Sequence, residues 1–299
     1  MIETRELTKR FDEFVALDGV SLHVRQGSVY GLVGPNGAGK TTLIRHLAGV
    51  YRQTSGEVLV DGQPVFENNA VKERIAYIPD DIFYFMQAST RDMMAFYRGI
   101  YPRFNMERYN ALKDAFKLVD EKRAIRRLSK GMQKQSAFWL AMCMMPDVLL
   151  LDEPVDGLDP IMRRQVWSLI MEDVVERGMT VLVSSHNLRE LEDVCDYMGV
   201  MDGGRLVFER SVTELQEDLV KVQVVFETED AQLPPELEVL HREKAGRIHT
   251  LIVRCSPEEA RERLGVLKPL LLDTIPLSLE EIFIYELGGV ERGIKDILL

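Results

Sequence analysis

The sequence predicts an α/β fold: a mixed core sheet with an antiparallel β region, an α-helical insert and a small C-terminal α+β unit. The first observation is an apolar run at residues 29–33 that enters a glycine-rich loop and is followed by a helical pattern over residues 42–50. The second is the alternation of apolar strands and helices from residue 148 onward, which is typical of parallel β/α units. The third is that, after about residue 220, the sequence predicts a small α+β unit with no phosphate-binding motif of its own.

Before the helical insert, the sequence predicts several strands. Residues 2–11 and 21–24 predict strands, and residues 56–60 predict another that ends at Asp61-Gly62, a hairpin signal. Antiparallel strands are therefore expected around the strand at residues 29–33. Residues 75–78 predict a short strand that Pro79 stops.

The middle of the chain is predominantly helical and then alternates. Residues 90–127 favour helix with an interruption at Tyr101-Pro102, which predicts a helical insert over about residues 82–127. Residues 148–151 and 180–184 predict buried strands, and residues 161–177 and 188–195 predict helices.

The last part predicts a small unit of its own, so the expected domains are residues 1–219 and 220–299. Residues 222–226 and 250–253 predict strands. Ser256 with Glu259, and Ser278 with Glu281, have the spacing of helix-capping boxes. The final residues Ile294, Ile297 and Leu298 form a short apolar face that packs either on a partner or on its own domain.

Composition narrows the classes of function. The 299 residues carry a net charge of −11, which argues against broad nucleic-acid binding. Cys143, Cys195 and Cys255 are few, odd in number and widely spaced, which favours a reducing compartment over a disulfide framework. The N-terminus lacks a signal-peptide pattern, and no apolar run is long enough to span a bilayer. If the protein serves a membrane process, another polypeptide is expected to cross the membrane.

The glycine-rich loop, residues 34–42 with sequence GPNGAGKTT, matches a phosphate-binding P-loop. Its glycines let successive backbone N–H groups converge on one anion, and the following helix N-terminus adds its positive dipole end. In that arrangement Lys40 reaches the β- and γ-phosphates, and the Thr41 hydroxyl holds Mg²⁺. The loop predicts a bound nucleoside triphosphate, but not the use of its energy.

A second motif supplies carboxylates. The apolar residues 148–151 end in Asp152-Glu153-Pro154. Asp152 fits the Mg²⁺-coordinating acid of a P-loop ATPase, and Glu153 would lie beside the γ-phosphate, where it can accept a proton from water. Between the two motifs, Ser129 is positioned to cap a helix from about residue 132.

The ordered motifs GPNGAGKTT, LSKGMQ, LLLLDEP, GLDP and SSH resemble those of the nucleotide-binding subunits of ATP-binding cassette (ABC) transporters, over roughly residues 2–220. The resemblance implies two ATP molecules sandwiched in a head-to-tail dimer, with Ser129 and Gly131 contacting the γ-phosphate bound by the partner. It also implies an adenine-stacking Phe11, a dimer-contacting Asp159 and a γ-phosphate-sensing His186.

Together the motifs and the resemblance give the expected site. The catalytic residues expected are Lys40, Glu153 and His186. The Mg²⁺ ligands expected are Thr41, Asp80 and Asp152. The residues expected to bind ATP are Phe11, Val15, Asn36, Gly37, Ala38, Gly39, Lys40, Thr41, Thr42, Asp80, Ser129, Gly131, Gln133 and Asp159.

Two positions depart from the pattern of the family. Lys130 replaces a usual glycine in the signature stretch, LSKGMQ at residues 128–133, although its side chain can point to solvent. Asp80 stands where the family commonly has glutamine. A shorter carboxylate would reach Mg²⁺ mainly through water; the alternative is that Asp80 is only a loop acid.

The resemblance implies an ATPase subunit, peripheral on the cytoplasmic face of the membrane, that powers transport, and more specifically export, through separate membrane permease subunits. The partner cassette is either identical or different, and the helical insert receives a short helix of the permease. The signature stretch and the C-terminal unit are most similar to bacterial exporter-type subunits linked to peptide-antibiotic resistance and envelope stress. A soluble ABC ATPase acting on ribosomes or DNA, or a silent regulatory cassette, remains the alternative; the chain has neither a second cassette nor a long coiled-coil insertion.

Overall fold

The computed structural model describes residues 1–226 and 233–287. The apolar face expected at Ile294, Ile297 and Leu298 therefore lies outside the described residues. The chain divides into two compact units. The first comprises Met1–His186 and Tyr197–Glu209, and the second comprises Asn187–Asp196 and the described residues from Arg210 on. The domain limits expected at residues 219 and 220 stay a prediction.

Within the described residues, the strands in chain order are β1 (Ile2–Phe11), β2 (Phe14–Val24), β3 (Val29–Val33), β4 (Ser55–Val60), β5 (Gln63–Pro64), β6 (Ile75–Ile78), β7 (Val148–Asp152), β8 (Thr180–Ser185), β9 (Tyr197–Asp202), β10 (Arg205–Ser211), β11 (Val220–Val225), β12 (Val239–Ala245), β13 (Ile248–Val253) and β14 (Leu271–Ile275). The helices are α1 (Lys40–Leu47), α2 (Asn69–Lys72), α3 (Thr90–Ile100), α4 (Met106–Ala111), α5 (Lys130–Cys143), α6 (Pro160–Arg177), α7 (Val212–Asp218), α8 (Pro257–Gly265) and α9 (Leu279–Leu287). Short 3₁₀ turns lie at Ile125–Arg127 and Leu188–Glu190.

The core sheet has the order β10-β9-β3-β8-β7-β6. Strands β3, β7 and β8 are buried along their whole length, because their apolar residues face covered surfaces on both sides. They run parallel, with Val33 beside Ser185 and Asp152 beside Ser184. Since the carboxyl ends of parallel strands meet at one edge, the segments that follow them converge there.

An antiparallel sheet of order β2-β1-β4-β5 confirms the predicted β region. The hairpin predicted at Asp61-Gly62 joins β4 to β5, and both turn residues have positive φ, 50° and 72°. Positive φ at both central positions is the requirement of a type I′ turn, which Asp-Gly meets at low cost.

Fewer residues of the helical insert are helical than predicted. Ser89 and Asp92 form a capping box at the start of α3, and α3 ends at the predicted interruption near Tyr101. Helix α4 ends at Ala111, and turns follow it. Trp139 of α5 is fully buried and stacks on Tyr109 of α4 at 4.6 Å, which ties these helices together. No helix among the described residues is both long and apolar enough to cross a membrane.

In the second unit, β12-β13-β11-β14 form an antiparallel sheet whose one face packs on α8 through buried residues such as Val222, Leu251 and Leu264. Both predicted capping boxes are confirmed: Ser256 caps α8, and Ser278 exchanges hydrogen bonds with Glu281 at the start of α9.

The helix predicted over residues 188–195 is wrong. Only the 3₁₀ turn Leu188–Glu190 forms, and turns follow it. The side chains of this segment bind α9 instead: Arg189 pairs with Glu280 at 2.8 Å, and Glu192 accepts the Leu279 N–H at 2.9 Å. A single amphipathic stretch of eight residues has too little intrinsic helical stability to resist such contacts.

Candidate active site

The P-loop joins β3 to α1 and wraps around the Lys40 ammonium. Gly37 and Gly39 have φ of 86° and 104°, a conformation that L-residues with a side chain rarely adopt. A Cβ on Gly39 would also lie 2.8 Å from the Ala16 carbonyl oxygen. The buried Lys40 ammonium donates to the carbonyl oxygens of Gly34 at 2.6 Å and Pro35 at 3.2 Å. The Lys40 ammonium is therefore held inside the loop, where it can bind an anion.

A cavity of about 300 Å³ opens on this loop. The predicted residues that line it are Asn36, Gly37, Ala38, Gly39, Lys40, Thr41, Thr42, Asp80 and Glu153. Phe14, Ala16 and Pro35 also line it, and sequence reasoning missed them. The exposed Phe14 ring could have been noticed as an aromatic at the tip of a hairpin.

Phe11 and Val15 do not line this cavity, although both belong to the same β1–β2 hairpin. The Phe11 ring packs edge-on against Tyr51 at 5.6 Å, and the Lys9 ammonium lies 4.8 Å from its centroid. Phe11 is paired with Phe14 across the hairpin, and of these two aromatic residues only Phe14 lines the cavity.

Asp152, at the end of β7, is buried and bound by two hydroxyls. Ser184 of β8 donates to its carboxylate at 2.7 Å, and Thr41 of α1 donates to the same oxygen at 3.1 Å. These oxygen atoms suit a hard divalent cation such as Mg²⁺. Ser184 lies beside Asp152 because β7 and β8 are adjacent in parallel register, and the sequence alone does not specify that register.

Glu153 has a φ of 47°, the left-handed region. Its N–H donates to the Ser184 carbonyl oxygen at 3.2 Å, and its carboxylate accepts from His186 Nδ1 at 2.9 Å, while Lys40 Nζ lies at 3.7 Å. Burial raises the pKa of Glu153 above its usual range, and His186 and Lys40 partly oppose that rise. The carboxylate is therefore a stronger base than an exposed glutamate. Burial likewise lowers the pKa of Lys40, which Glu153 and Asp152 oppose.

Ser129 and Gly131 of the LSKGMQ stretch, and Asp159 of the GLDP stretch, do not line the P-loop cavity and have structural contacts within their own segments. Ser129 caps α5 by accepting the Met132 N–H, and Asp159 caps α6 by accepting the Ile161 and Met162 N–H groups at 3.0 Å. A Cβ on Gly131 would lie 2.8 Å from the Gly157 carbonyl oxygen, so this position needs glycine.

A second cavity, of about 460 Å³, lies beside the start of α5 and contains Gln133 and Asp80. Gln133 donates to the Leu128 carbonyl oxygen at 3.0 Å. Asp80 lines both cavities, and its carboxylate lies 3.5 Å from the buried Lys134 ammonium. Sequence reasoning missed Lys134; the only signal was a lysine placed just before an apolar helical run.

Glu153, Asp156 and His186 form a further group whose ligand atoms lie within 4.8 Å of one another. Asp156 was not predicted, and its exposed carboxylate completes a polar rim around Glu153.

The chain is similar to known proteins in sequence and in fold. Residues 17–156 match the family model described as ABC transporter. The ABC transporter ATP-binding protein YtrB of Bacillus subtilis is 33% identical over 98% of this chain and 100% of its own length. The bacitracin transport ATP-binding protein BcrA of Bacillus licheniformis is 32% identical over 70% of this chain and 69% of its own length. A dimeric bacterial ABC transporter cassette superposes with a TM-score of 0.64 at 21% identity, covering 71% of this chain and 99% of that one, which supports the predicted fold class.

Proposed function

The chain belongs to the ABC transporter family as an ATP-binding ATPase subunit, and from this premise we propose that it hydrolyses ATP with Mg²⁺ in a dimer of two cassettes. One observation carries the proposal: Lys40, the Thr41–Asp152 pair and the Glu153–His186 pair converge at the carboxyl edge of the core sheet. Cation, metal ligands and base are thus arranged around one point on the P-loop.

We propose that the triphosphate occupies the cavity of about 300 Å³, with the loop N–H groups and Lys40 on its phosphates. Thr41 and Asp152 would hold Mg²⁺, and Asp80 would reach it through water. When bound, Mg²⁺ neutralises charge on the β- and γ-phosphates. Phe11, with Val15, would border the adenine, and the lining ring of Phe14 supports an aromatic contact there.

In the chemical step we propose, a water oxygen attacks the γ-phosphorus, the bond from that phosphorus to the bridging oxygen breaks, and ADP and phosphate form. Glu153 takes the proton of the attacking water, which its raised pKa favours. His186 holds the Glu153 carboxylate and would donate to the γ-phosphate while it is present.

Four residues expected to bind ATP do not line the P-loop cavity of the same chain, which supports a dimer. Ser129, Gly131, Gln133 and Asp159 are outside its lining, although all are described. If a second cassette supplies its signature helix N-terminus to this cavity, the site is completed from two chains.

Exposed apolar side chains in the helical insert support a membrane partner. Phe83 and Met86 are 86% and 81% exposed, and Phe85 and Phe96 are also exposed beside them. Such a patch on a chain with net charge −11 favours an apolar helix of a permease over nucleic acid. We propose that the chain lies on the inner face of the membrane. We also propose that transport is export, the direction implied by the resemblance of the signature stretch and the C-terminal unit to exporter-type subunits.

The test measures ATP hydrolysis by the purified chain over a 100-fold range of concentration, with Lys40→Ala as the inactive control. A shared site predicts that the rate rises with a power of concentration greater than one until the dimer saturates. A strictly linear rise down to high dilution contradicts the shared site, and hydrolysis by Lys40→Ala contradicts the P-loop assignment. Co-purification of a membrane protein, rather than ribosomes or DNA, tests the permease.

A further inference from the structure

Lys134 is a buried cation next to the proposed base. It lies in the second turn of α5, the helix that Ser129 caps, and only 7% of the residue is exposed. Its ammonium donates to the backbone carbonyl oxygen of Glu153 at 2.7 Å. A buried ammonium is costly unless it is hydrogen-bonded and paired, so a lysine at this position requires a reason.

The backbone of Glu153 is in a conformation that needs support. With φ of 47°, it occupies the left-handed region that glutamate rarely adopts. Its N–H is held by the Ser184 carbonyl oxygen at 3.2 Å, and its own carbonyl oxygen is held by Lys134. The residue is thus fixed on both sides of its Cα, which determines the direction in which its carboxylate points.

Asp80 supplies the counter-charge. It follows β6, and its carboxylate lies 3.5 Å from the Lys134 ammonium. The acid at this position, where the resemblance leads one to expect a glutamine, is therefore matched by a cation on α5. Lys134 joins three segments: the loop after β6, the helix that begins at the signature and the backbone of the base.

We infer, on the basis of the proposed role of Glu153, that Lys134 is a positioning residue for ATP hydrolysis. Its ammonium holds the Glu153 backbone so that the carboxylate faces the attacking water, and Asp80 keeps the ammonium in place. Loss of such a support misplaces the base without removing it, and a shift of about 1 Å can cost on the order of 10²-fold in rate.

The experiment compares Lys134→Met, which keeps the apolar stem and removes the ammonium, with Lys134→Arg, which restores a charged donor. Lys117→Met, at an exposed lysine after α4, is the matched control. For Lys134→Met we expect kcat to fall on the order of 100-fold, with nucleotide affinity changed by less than about threefold. Lys134→Arg should recover a large part of kcat, and Lys117→Met should resemble the wild type.

The double variant Asp80→Asn with Lys134→Met tests the pair. The rate is measured at saturating Mg²⁺, so that the proposed water-mediated contact of Asp80 with Mg²⁺ does not limit it. If Asp80 acts through Lys134, the double variant then has the same kcat as Lys134→Met alone. Fully multiplicative losses would overturn the Asp80 part of the inference. A parallel loss of nucleotide affinity, kcat and urea resistance in Lys134→Met, without rescue by arginine, would reduce Lys134 to a structural residue.

Glu153→Gln separates this inference from the proposed function. If Glu153→Gln retains full turnover, Glu153 is not the base, and both the proposed function of Glu153 and the positioning role of Lys134 are overturned. If Glu153→Gln is inactive while Lys134→Met keeps kcat within about threefold of the wild type, only the positioning role is overturned.

Discussion

The Ser184 hydroxyl binds both Asp152 and Glu153, so its removal tests how these two residues are positioned. The side chain is fully buried; its Oγ donates to Asp152 at 2.7 Å and accepts the Glu153 N–H at 3.3 Å. Ser184→Ala leaves the buried Asp152 carboxylate with Thr41 as its remaining hydroxyl donor among the hydrogen bonds described above.

The magnitude follows from the kind of hydrogen bond lost. A hydrogen bond to a charged group contributes about 1.5–3 kcal/mol, so Ser184→Ala should lower the free energy of unfolding of the first unit by about 2 kcal/mol. An outer partner that orients a metal ligand is worth about 10–100-fold in metal affinity, so half-saturation by Mg²⁺ should rise within that range.

The assays are urea unfolding and ATP hydrolysis titrated with Mg²⁺. Ser55→Ala, at an exposed serine that begins β4, is the matched control and should stay within about 0.5 kcal/mol of the wild type. Thr41→Ala serves as the positive control for Mg²⁺ dependence. An unchanged Mg²⁺ requirement in Ser184→Ala, beside a shifted one in Thr41→Ala, would refute the claim that Ser184 orients the metal ligand.

Further predictions concern pH, packing and the second unit. Since burial raises the pKa of Glu153 above the ordinary 4.5, kcat/KM should fall on acidification with a midpoint above that value. The same shift makes the folded state bind more protons than the unfolded state, so its contribution to stability declines as pH rises through this window; Glu153→Gln should abolish that decline. Trp139→Ala should cost about 3–5 kcal/mol in urea unfolding, because it removes a fully buried ring stacked on Tyr109, whereas a loss below about 1 kcal/mol would contradict this packing. A chain truncated after residue 219 lacks α9, which contacts Arg189 and Glu192, so residues 187–196 should be cleaved faster in limited proteolysis than in the full chain. An unchanged rate of cleavage there would contradict that contact.

The features predicted correctly from sequence depend on local chemistry. Capping by Ser129, Ser256 and Ser278 needs only the next few residues, and the turn at Asp61-Gly62 needs only its own backbone preferences. The strand before the P-loop is recognisable because it is apolar throughout and glycine follows it at once.

The features missed depend on residues distant in the chain. Ser184 meets Asp152 only because β7 and β8 are adjacent in parallel register, and Lys134 meets Glu153 only because α5 packs near the end of β7. The helix predicted over residues 188–195 failed for the same reason, since contacts with α9 outweigh its weak periodicity. Roles that arise across strands or between helices leave little trace in one sequence.

In the proposed mechanism this chain holds half of an ATP site, and hydrolysis with Glu153 as the base ends the dimeric state. Glu153→Gln keeps the shape of the side chain but removes the base, so ATP with Mg²⁺ should hold this variant in a dimer. The measurement is the mass of Glu153→Gln in solution by light scattering, with and without ATP and Mg²⁺. A site shared by two chains predicts about twice the monomer mass with nucleotide and the monomer mass without it. A variant that binds ATP yet stays monomeric at every concentration, or that hydrolyses ATP at the wild-type rate, would contradict it.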